Sequence, residues 1–349
     1  MNIKSIMDIL TIILIFLLSI GAVICPPCDP PPEKPTDLQV IVFDVGQADC
    51  TLLKMDDHAM LIDAGNTGQD ALVLGYLAEY DVTTLDYLVA THPHADHIGS
   101  MPSVVRTMER IDTVLMPDKG HTTQIYGDLM DAIDEKGIPI KIPTPGEVFQ
   151  WGAARVEVLA PNSPTYRNDD LNEYSIVLRV EYGDTSFLFT GDAGEISESE
   201  QLDRGFLLKS DVLKVGHHGS RGSSTQQYLD AVAPSYAVIC CGAGNPYGHP
   251  TPEALGRLAG VGAEIYRTDQ NGTITFTTNG TTIKITTTPT PPPPHLYIGH
   301  KNNLVVHLYT CSSLPSPQNQ VYFDPDTLEE AIDAGYNPHA ACTNYSPMS

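Results

Sequence analysis

The chain has 349 residues, 42% of them hydrophobic and 18% charged, with a formal net charge of -24. That apolar content is enough for a full domain core and excludes an intrinsically disordered chain. Seven cysteines over this length exclude a small disulfide scaffold, and the acidity argues against gripping nucleic acid through a generally basic surface.

Ile9 to Ile24 is an uncharged, mostly aliphatic run behind Lys4. At about 1.5 Å per residue it is short for a membrane span and ample for a signal-peptide core. Residues 1–24 therefore read as a signal peptide or membrane anchor. Cleavage, lipidation at Cys25 and retention as an anchor stay open, and each leads outside the cytoplasm, secreted or held on the outer face of the cell membrane. Residues 25–37 form a Pro-rich tether. Its Cys25-Pro-Pro-Cys28 has redox spacing without the strand-to-helix setting, so a tether disulfide or unpaired thiols fit better.

Short Val/Ile/Leu runs near Val40, Leu52, Ala59, Leu88, Val114, Val156, Ile176, Phe187, Val212 and Ala237 predict strands. Helical stretches over 69–80, 123–136, 223–231 and 251–259 alternate with them, and Tyr182-Gly-Asp184 predicts a hairpin turn. Cys50, Cys240 and Cys241 lie in apolar runs and read as buried. The pattern predicts two sheets covered by helices in one domain, residues 38–286.

The chemistry concentrates after the run Tyr87 to Ala90, in Thr91-His-Pro-His-Ala-Asp-His97. A tight loop at a strand end can turn three imidazoles and a carboxylate onto one point. Four nitrogen and oxygen donors exceed what one catalytic ion with an open position needs. The spacing therefore predicts two adjacent divalent ions, which can share a hydroxide nucleophile and clamp both ends of an in-line displacement. Asp192 and His218 also follow apolar runs, so strand ends can bring them to the same sheet edge.

These motifs resemble the metallo-β-lactamase superfamily. Val40-Ile-Val-Phe-Asp-Val-Gly-Gln-Ala-Asp49 looks like the opening of its ComEC-type branch, the hydrolase domain of DNA-uptake proteins. Leu61-Ile-Asp-Ala-Gly65, Phe187-Leu-Phe-Thr-Gly-Asp192, Leu213-Lys-Val-Gly-His-His-Gly-Ser220, Asn245-Pro-Tyr-Gly-His-Pro-Thr-Pro-Glu253 and Arg267-Thr-Asp-Gln-Asn-Gly272 match in order. The resemblance implies an α/β fold, the αββα sandwich. It also implies His92 and His94 on one ion, Asp96, His97 and His218 on the other, and Asp192 between them. Asp63 would orient the metal loop, and His217 can exchange roles with His218. The superfamily's usual third His for the first ion is missing. Asn172 is the candidate replacement, with Asp170 second, or Asn172 simply turns the chain. An oxygen ligand there shifts preference from Zn²⁺ towards Mn²⁺. Asp96 or Asp192 would take the proton of the attacking hydroxide. Lys214, Arg221 and His249 are candidates to steady a phosphoryl group, although surface charge is the plainer reading of Lys214 and Arg221.

Residues 287–294 form a Thr/Pro linker with an extended, semi-rigid composition. Within 295–345, His307-x3-Cys311 and His339-x2-Cys342 have the spacing to close one structural zinc site. Tyr297-Ile-Gly, Val321-Tyr-Phe323, Glu329-Glu-Ala331 and Ala334-Gly-Tyr-Asn-Pro338 around them resemble the zinc module of the Ada DNA-repair protein; a Cys311–Cys342 cystine is the alternative. The expected function is an exported di-metal nuclease or phosphodiesterase acting on DNA or another phosphodiester. Arg204, Lys209, Lys214 and Arg221 would supply a local basic groove, and the Ada-like tail could hold DNA. The alternatives are a hydrolase of small phosphoesters or lactams, or an inactive scaffold presenting a nucleic-acid-binding zinc module. Nothing in the sequence bears on oligomeric state.

Overall fold

The computed structural model describes residues 36–289, 297–308, 320–322 and 328–339. The leader, the Cys25/Cys28 pair, the later part of the linker, and Cys311 and Cys342 lie outside the described residues. Among the described residues no helix is long and apolar enough to cross a membrane.

The first half of the chain contributes β1 (Leu38–Val42), β2 (Thr51–Met55), β3 (His58–Ile62), β4 (Thr84–Val89), β5 (Arg110–Leu115) and β6 (Ile140–Lys141). There follow β7 (Val148–Trp151), β8 (Ala154–Ala160), β9 (Val177–Tyr182), β10 (Thr185–Phe189), β11 (Val212–Lys214), β12 (Tyr236–Ile239) and β13 (Glu264–Arg267). The hairpin β14 (Thr273–Thr278) and β15 (Ile283–Thr288) returns to the first sheet, whose order is β15-β14-β1-β2-β3-β4-β5-β6. The second sheet runs β13-β12-β11-β10-β9-β8-β7.

Strand side chains alternate between faces, and both faces are apolar here. Val40, Leu53, Met60 and Val89 point between the sheets, where they meet Val156, Phe187, Val212 and Val238. Their neighbours Ile41, Leu52, Leu61 and Leu88 face outward, against Val73 and Leu77 of helix Asp70–Glu79 and Val104 of helix Met101–Thr107. In the second sheet Leu188, Leu213 and Ile239 face outward onto Tyr228 and Leu229 of helix Gln226–Val232 and Leu258 of helix Pro252–Gly260. An element that is apolar on two sides must be covered on two sides. The outcome is the four-layer αββα sandwich.

Strands β3, β4 and β5 run parallel, as do β10, β11, β12 and β13. Their carboxyl ends therefore share one edge, the usual place for a site in such sheets.

The structure corrects several boundaries. Strand β15 continues to Thr288, inside the stretch read as linker, because Thr286, Thr287 and Thr288 pair with Thr275, Ile274 and Thr273. The helix expected from Ser223 begins at Gln226, where Thr225 caps it by accepting from Tyr228 N–H. Helices Met101–Thr107 and Glu195–Asp203 and strands β6, β7, β13, β14 and β15 went unread.

The C-terminal strands β16 (Tyr297–His300), β17 (Val305–Leu308), β18 (Gln320–Tyr322) and β19 (Asn337–Pro338) form a separate sheet in the order β18-β16-β17-β19. Its small core is Val306 and Ala331, the latter on helix Leu328–Asp333.

Candidate metal centre

Each site residue follows the end of a strand: Asp63 after β3, His92 to His97 after β4, Asp192 after β10, His218 after β11 and His249 after β12. Glycine allows two of these turns. Gly191 has φ +51°, and a Cβ there would meet Thr91 and Ser175 at 3.0 and 3.1 Å. At Gly99 a Cβ would lie 2.1 Å from the Thr67 backbone nitrogen and 2.4 Å from the Ala95 carbonyl. The metal loop can therefore pack directly on residues 65–67.

Asp96, His97, Asp192 and His218 converge, with candidate ligand atoms all within 4.8 Å of one another. His97 Nε2 is 3.3 Å from Asp192 Oδ2, and His218 Nε2 is 3.3 Å from Asp96 Oδ2 and 3.8 Å from Asp192 Oδ2. Beside them His92 Nε2 and His94 Nδ1 face each other at 2.9 Å. Burial, then the neighbouring His97, drives the His92 pKa down, and burial does the same for His94. Two neutral imidazoles with their nitrogens converging suit one shared cation.

The opposite ring atoms are held by protein. His97 Nδ1–H donates to Asp63 at 2.7 Å, and His218 Nδ1–H donates to the Cys240 carbonyl at 2.9 Å. The Thr91 hydroxyl donates to Asp63 and lies 3.2 Å from His92 Nδ1. Such partners set the tautomer and aim the other nitrogen at a metal. Asp63 accepts from the Thr91 backbone N–H and hydroxyl as well as from His97. Ser175, not among the candidate site residues, accepts from Asp192 N–H at 3.1 Å and stands 3.3 Å from His92 Nδ1. A Ser three residues after Asn172 was its only sequence signal.

The adjacent histidines separate clearly. His218 is buried, whereas His217 is one-third exposed with Nε2 3.8 Å from Asp192. Both take left-handed backbone angles, φ 47° and 54°, unusual outside glycine. Asn172 lines a cavity over the cluster with its Oδ1 buried and without a hydrogen-bond partner. Asp170 is engaged elsewhere, accepting from Asn172 N–H as a cap.

Lys214 is not the surface charge that its sequence setting suggested. It is 3% exposed, ion-paired with Asp49, and donates to the Gly191 carbonyl at 3.3 Å. Arg221 is 75% exposed beside Glu253, and Arg204 donates to the Asn162 carbonyl. The basic groove expected from these residues loses its central member.

The donor set fits divalent cations. Buried His97 Nε2, Asp192 Oδ1 and Asn172 Oδ1 make no hydrogen bonds. Asp49, Asp63, Asp96 and Asp192 outnumber the single Lys214 ammonium by three charges in a largely buried setting. Burial alone would lift Asp96, yet the hydrogen bond from His218 and the His97 charge bring it to about 2. Burial would lower His218, but Asp192 and Asp49 raise it to about 10. A cavity that pulls protons onto buried imidazoles is one that attracts cations.

The cavity over this cluster measures about 290 Å³ and is bounded by Gln47, Tyr247 and His249. A slightly larger one of about 330 Å³ beside helix Asp70–Glu79 is lined mainly by aliphatic and threonine side chains and has no metal-ligand cluster. Chemistry rather than size locates the site. In the C-terminal sheet, the His307 and His339 ring centroids lie 4.5 Å apart with their planes inclined by 32°.

Residues 43–243 match the profile of the metallo-beta-lactamase superfamily. The chain is 31% identical over 258 residues to ComE operon protein 3 of Bacillus subtilis, covering 68% of this chain and 33% of that protein. It is 28% identical over 247 residues to Recombination protein 2 of Haemophilus influenzae, covering 69% and 29%. Competence protein ComA of Neisseria gonorrhoeae is 31% identical over 242 residues, covering 68% and 32%. The chain spans about a third of the length of these relatives. A profile match across more than half of the chain, over the same strand-end histidines and aspartates, makes it a member of the metallo-β-lactamase superfamily.

Proposed function

We propose that the chain is a metal-dependent phosphodiesterase acting on DNA or a related phosphodiester outside the cytoplasm. The observation carrying this reading is the Asp96–His97–Asp192–His218 cluster beside the facing His92 and His94 nitrogens, opening into a cavity of about 290 Å³. That volume is at the small end for ligand sites and suits a phosphoryl group more than a whole substrate.

His92, His94 and Asn172 would hold one ion, Asp96, His97 and His218 the other, with Asp192 shared. Two divalent ions bound there would supply Lewis-acid charge to a phosphoryl oxygen and acidity to an attacking water. Asp96, 31% exposed at the cavity, is the carboxylate that takes a proton, since Asp192 is sealed at 2%. His249 lines the cavity with a buried, unpartnered Nδ1. Burial, then the nearby His217 and His218, lowers its pKa. It therefore meets substrate as a neutral imidazole offering an N–H to a phosphoryl oxygen.

The names of the relatives support a role in DNA uptake, with residues 1–24 as leader or anchor. The paired His307 and His339 support a zinc site completed by Cys311 and Cys342, in a tail that holds nucleic acid. A second reading, small phosphoesters or lactams, draws support from the acidity and from the burial of Lys214.

The test incubates the purified chain with single- and double-stranded DNA and with a small phosphodiester, under Mn²⁺ and under Zn²⁺. Asp96→Ala/His97→Ala is the control. DNA cleavage lost in that control is the expected result, and a Mn²⁺ preference supports the Asn172 oxygen as ligand. Cleavage of the small ester alone moves the assignment to the second reading, and no turnover with either ion moves it to a binding role.

A further inference from the structure

Tyr247 is the most exposed large apolar side chain among the described residues, at 69%, yet it borders the same cavity as Asp96 and Asp192. Its ring lies 5.9 Å from that of His249, the planes inclined by 28°. His249 in turn lies 6.5 Å from His218, inclined by 26°. A series of three rings, successive planes inclined by 26° and 28°, thus runs from a buried candidate ligand to the open lip.

The loop presenting the outer ring is stiffened. Asn245 Oδ1 accepts from both Tyr247 N–H and His249 N–H, and Asn245 Nδ2 donates to the Gly242 and His249 carbonyls. An exposed aromatic ring on a braced loop at the mouth of a phosphoryl-sized cavity can present a flat apolar face to whatever flanks the phosphoryl group. The surrounding charge narrows the choice of ligand. Lys214 is sealed against Asp49 and Arg221 lies beside Glu253, so neither offers an unpaired cation to a nucleic-acid backbone at this cavity.

We propose that Tyr247 is a stacking platform for a nucleobase of single-stranded nucleic acid, seating the adjoining phosphodiester over the Asp96–Asp192–His218 cluster. This rests on the phosphodiesterase reading above and names its substrate as a strand whose bases are free to unstack. Recognition comes from the ring more than from charge, so binding has a shallow salt dependence. One aromatic–base contact of this kind is worth about 1–3 kcal/mol, roughly five- to 150-fold in affinity.

The test uses the metal-loaded full chain and cleavage-resistant phosphorothioate oligothymidylate, beside an abasic strand of equal length and a duplex. Fluorescence anisotropy reads binding, and kcat/KM is measured on the ordinary phosphodiester strands. Tyr247→Ala is expected to weaken the base-bearing strand at least fivefold and leave the abasic strand unchanged. Tyr247→Trp should keep or tighten the base-bearing strand. Equal binding of base-bearing and abasic strands by the wild-type chain overturns the platform, as does an unaltered Tyr247→Ala, whatever the turnover. Base-dependent binding without turnover of any phosphodiester retains the platform and removes the phosphodiesterase reading, so the two fail separately.

Discussion

Asp49 and Lys214 form an ion pair buried beneath the candidate ligands, and Asp49 also lies 3.3 Å from His218 Nδ1. Burial would push the Asp49 carboxyl up, but the ammonium and His218 hold it well below its ordinary value. Removing one member of a buried pair leaves an uncompensated charge and costs about 3–5 kcal/mol, whereas replacing both can be nearly neutral. Asp49→Asn should therefore lower the urea midpoint of the metal-free chain sharply, and Asp49→Asn/Lys214→Met should recover it. Metal affinity, read by equilibrium dialysis, should stay depressed roughly 10- to 100-fold in both, because the carboxylate charge beside His218 is missing in both. Recovery of affinity in the double variant would make Asp49 a purely structural charge. This arrangement was hidden in the sequence. Lys214 stands beside a His-Gly motif in a charged neighbourhood, and only the pairing of β11 between β10 and β12 reveals it as interior.

Strands and helices with strong periodicity were legible, as was the gathering of the candidate ligands after β4, whose spacing carries their chemistry. Strands β14 and β15 were not. Their Thr-rich text alternates weakly, and what holds them is pairing with β1, a partner from the far end of the domain. Helix Glu195–Asp203 has polar residues on its inner side too, with Ser197, Glu198 and Gln201 buried, so an apolar-stripe search passes over it. The contact of the metal loop with residues 65–67 was equally invisible. Gly99→Ala should destabilise by about 3 kcal/mol or more, the upper end of overpacking, because backbone atoms are what its Cβ would meet. Gly75→Ala, in helix Asp70–Glu79 with open space around it, should instead add about 0.5–1 kcal/mol. Paired thermal melts check both, and equal shifts of the two variants would refute the close-packing account.

At the scale of the molecule, stability should depend on pH through Glu198. Burial, partly countered by the Thr225 and Ser224 backbone N–H groups, lifts its carboxyl from 4.5 to about 7. Between those values the folded chain keeps a proton that the unfolded chain has released, so stability falls as pH rises through the window. The full effect is about 3 kcal/mol at 1.36 kcal/mol per pH unit. Glu198→Gln should flatten the decline between pH 5 and pH 7 in urea unfolding of the metal-free chain, and an unchanged slope would reassign it to other groups.

The first strand has a consequence for how the protein is made. Leu38 pairs with Thr278, so β1 has one flank open until the β14 hairpin exists. Every candidate ligand of the hydrolase domain lies at or before His218 and is therefore synthesised before that strand. A nascent chain therefore carries its whole complement of candidate ligands before the first sheet is complete. Pairing of the last hairpin with β1, rather than synthesis of the last candidate ligand, is the step that completes the sheet behind them.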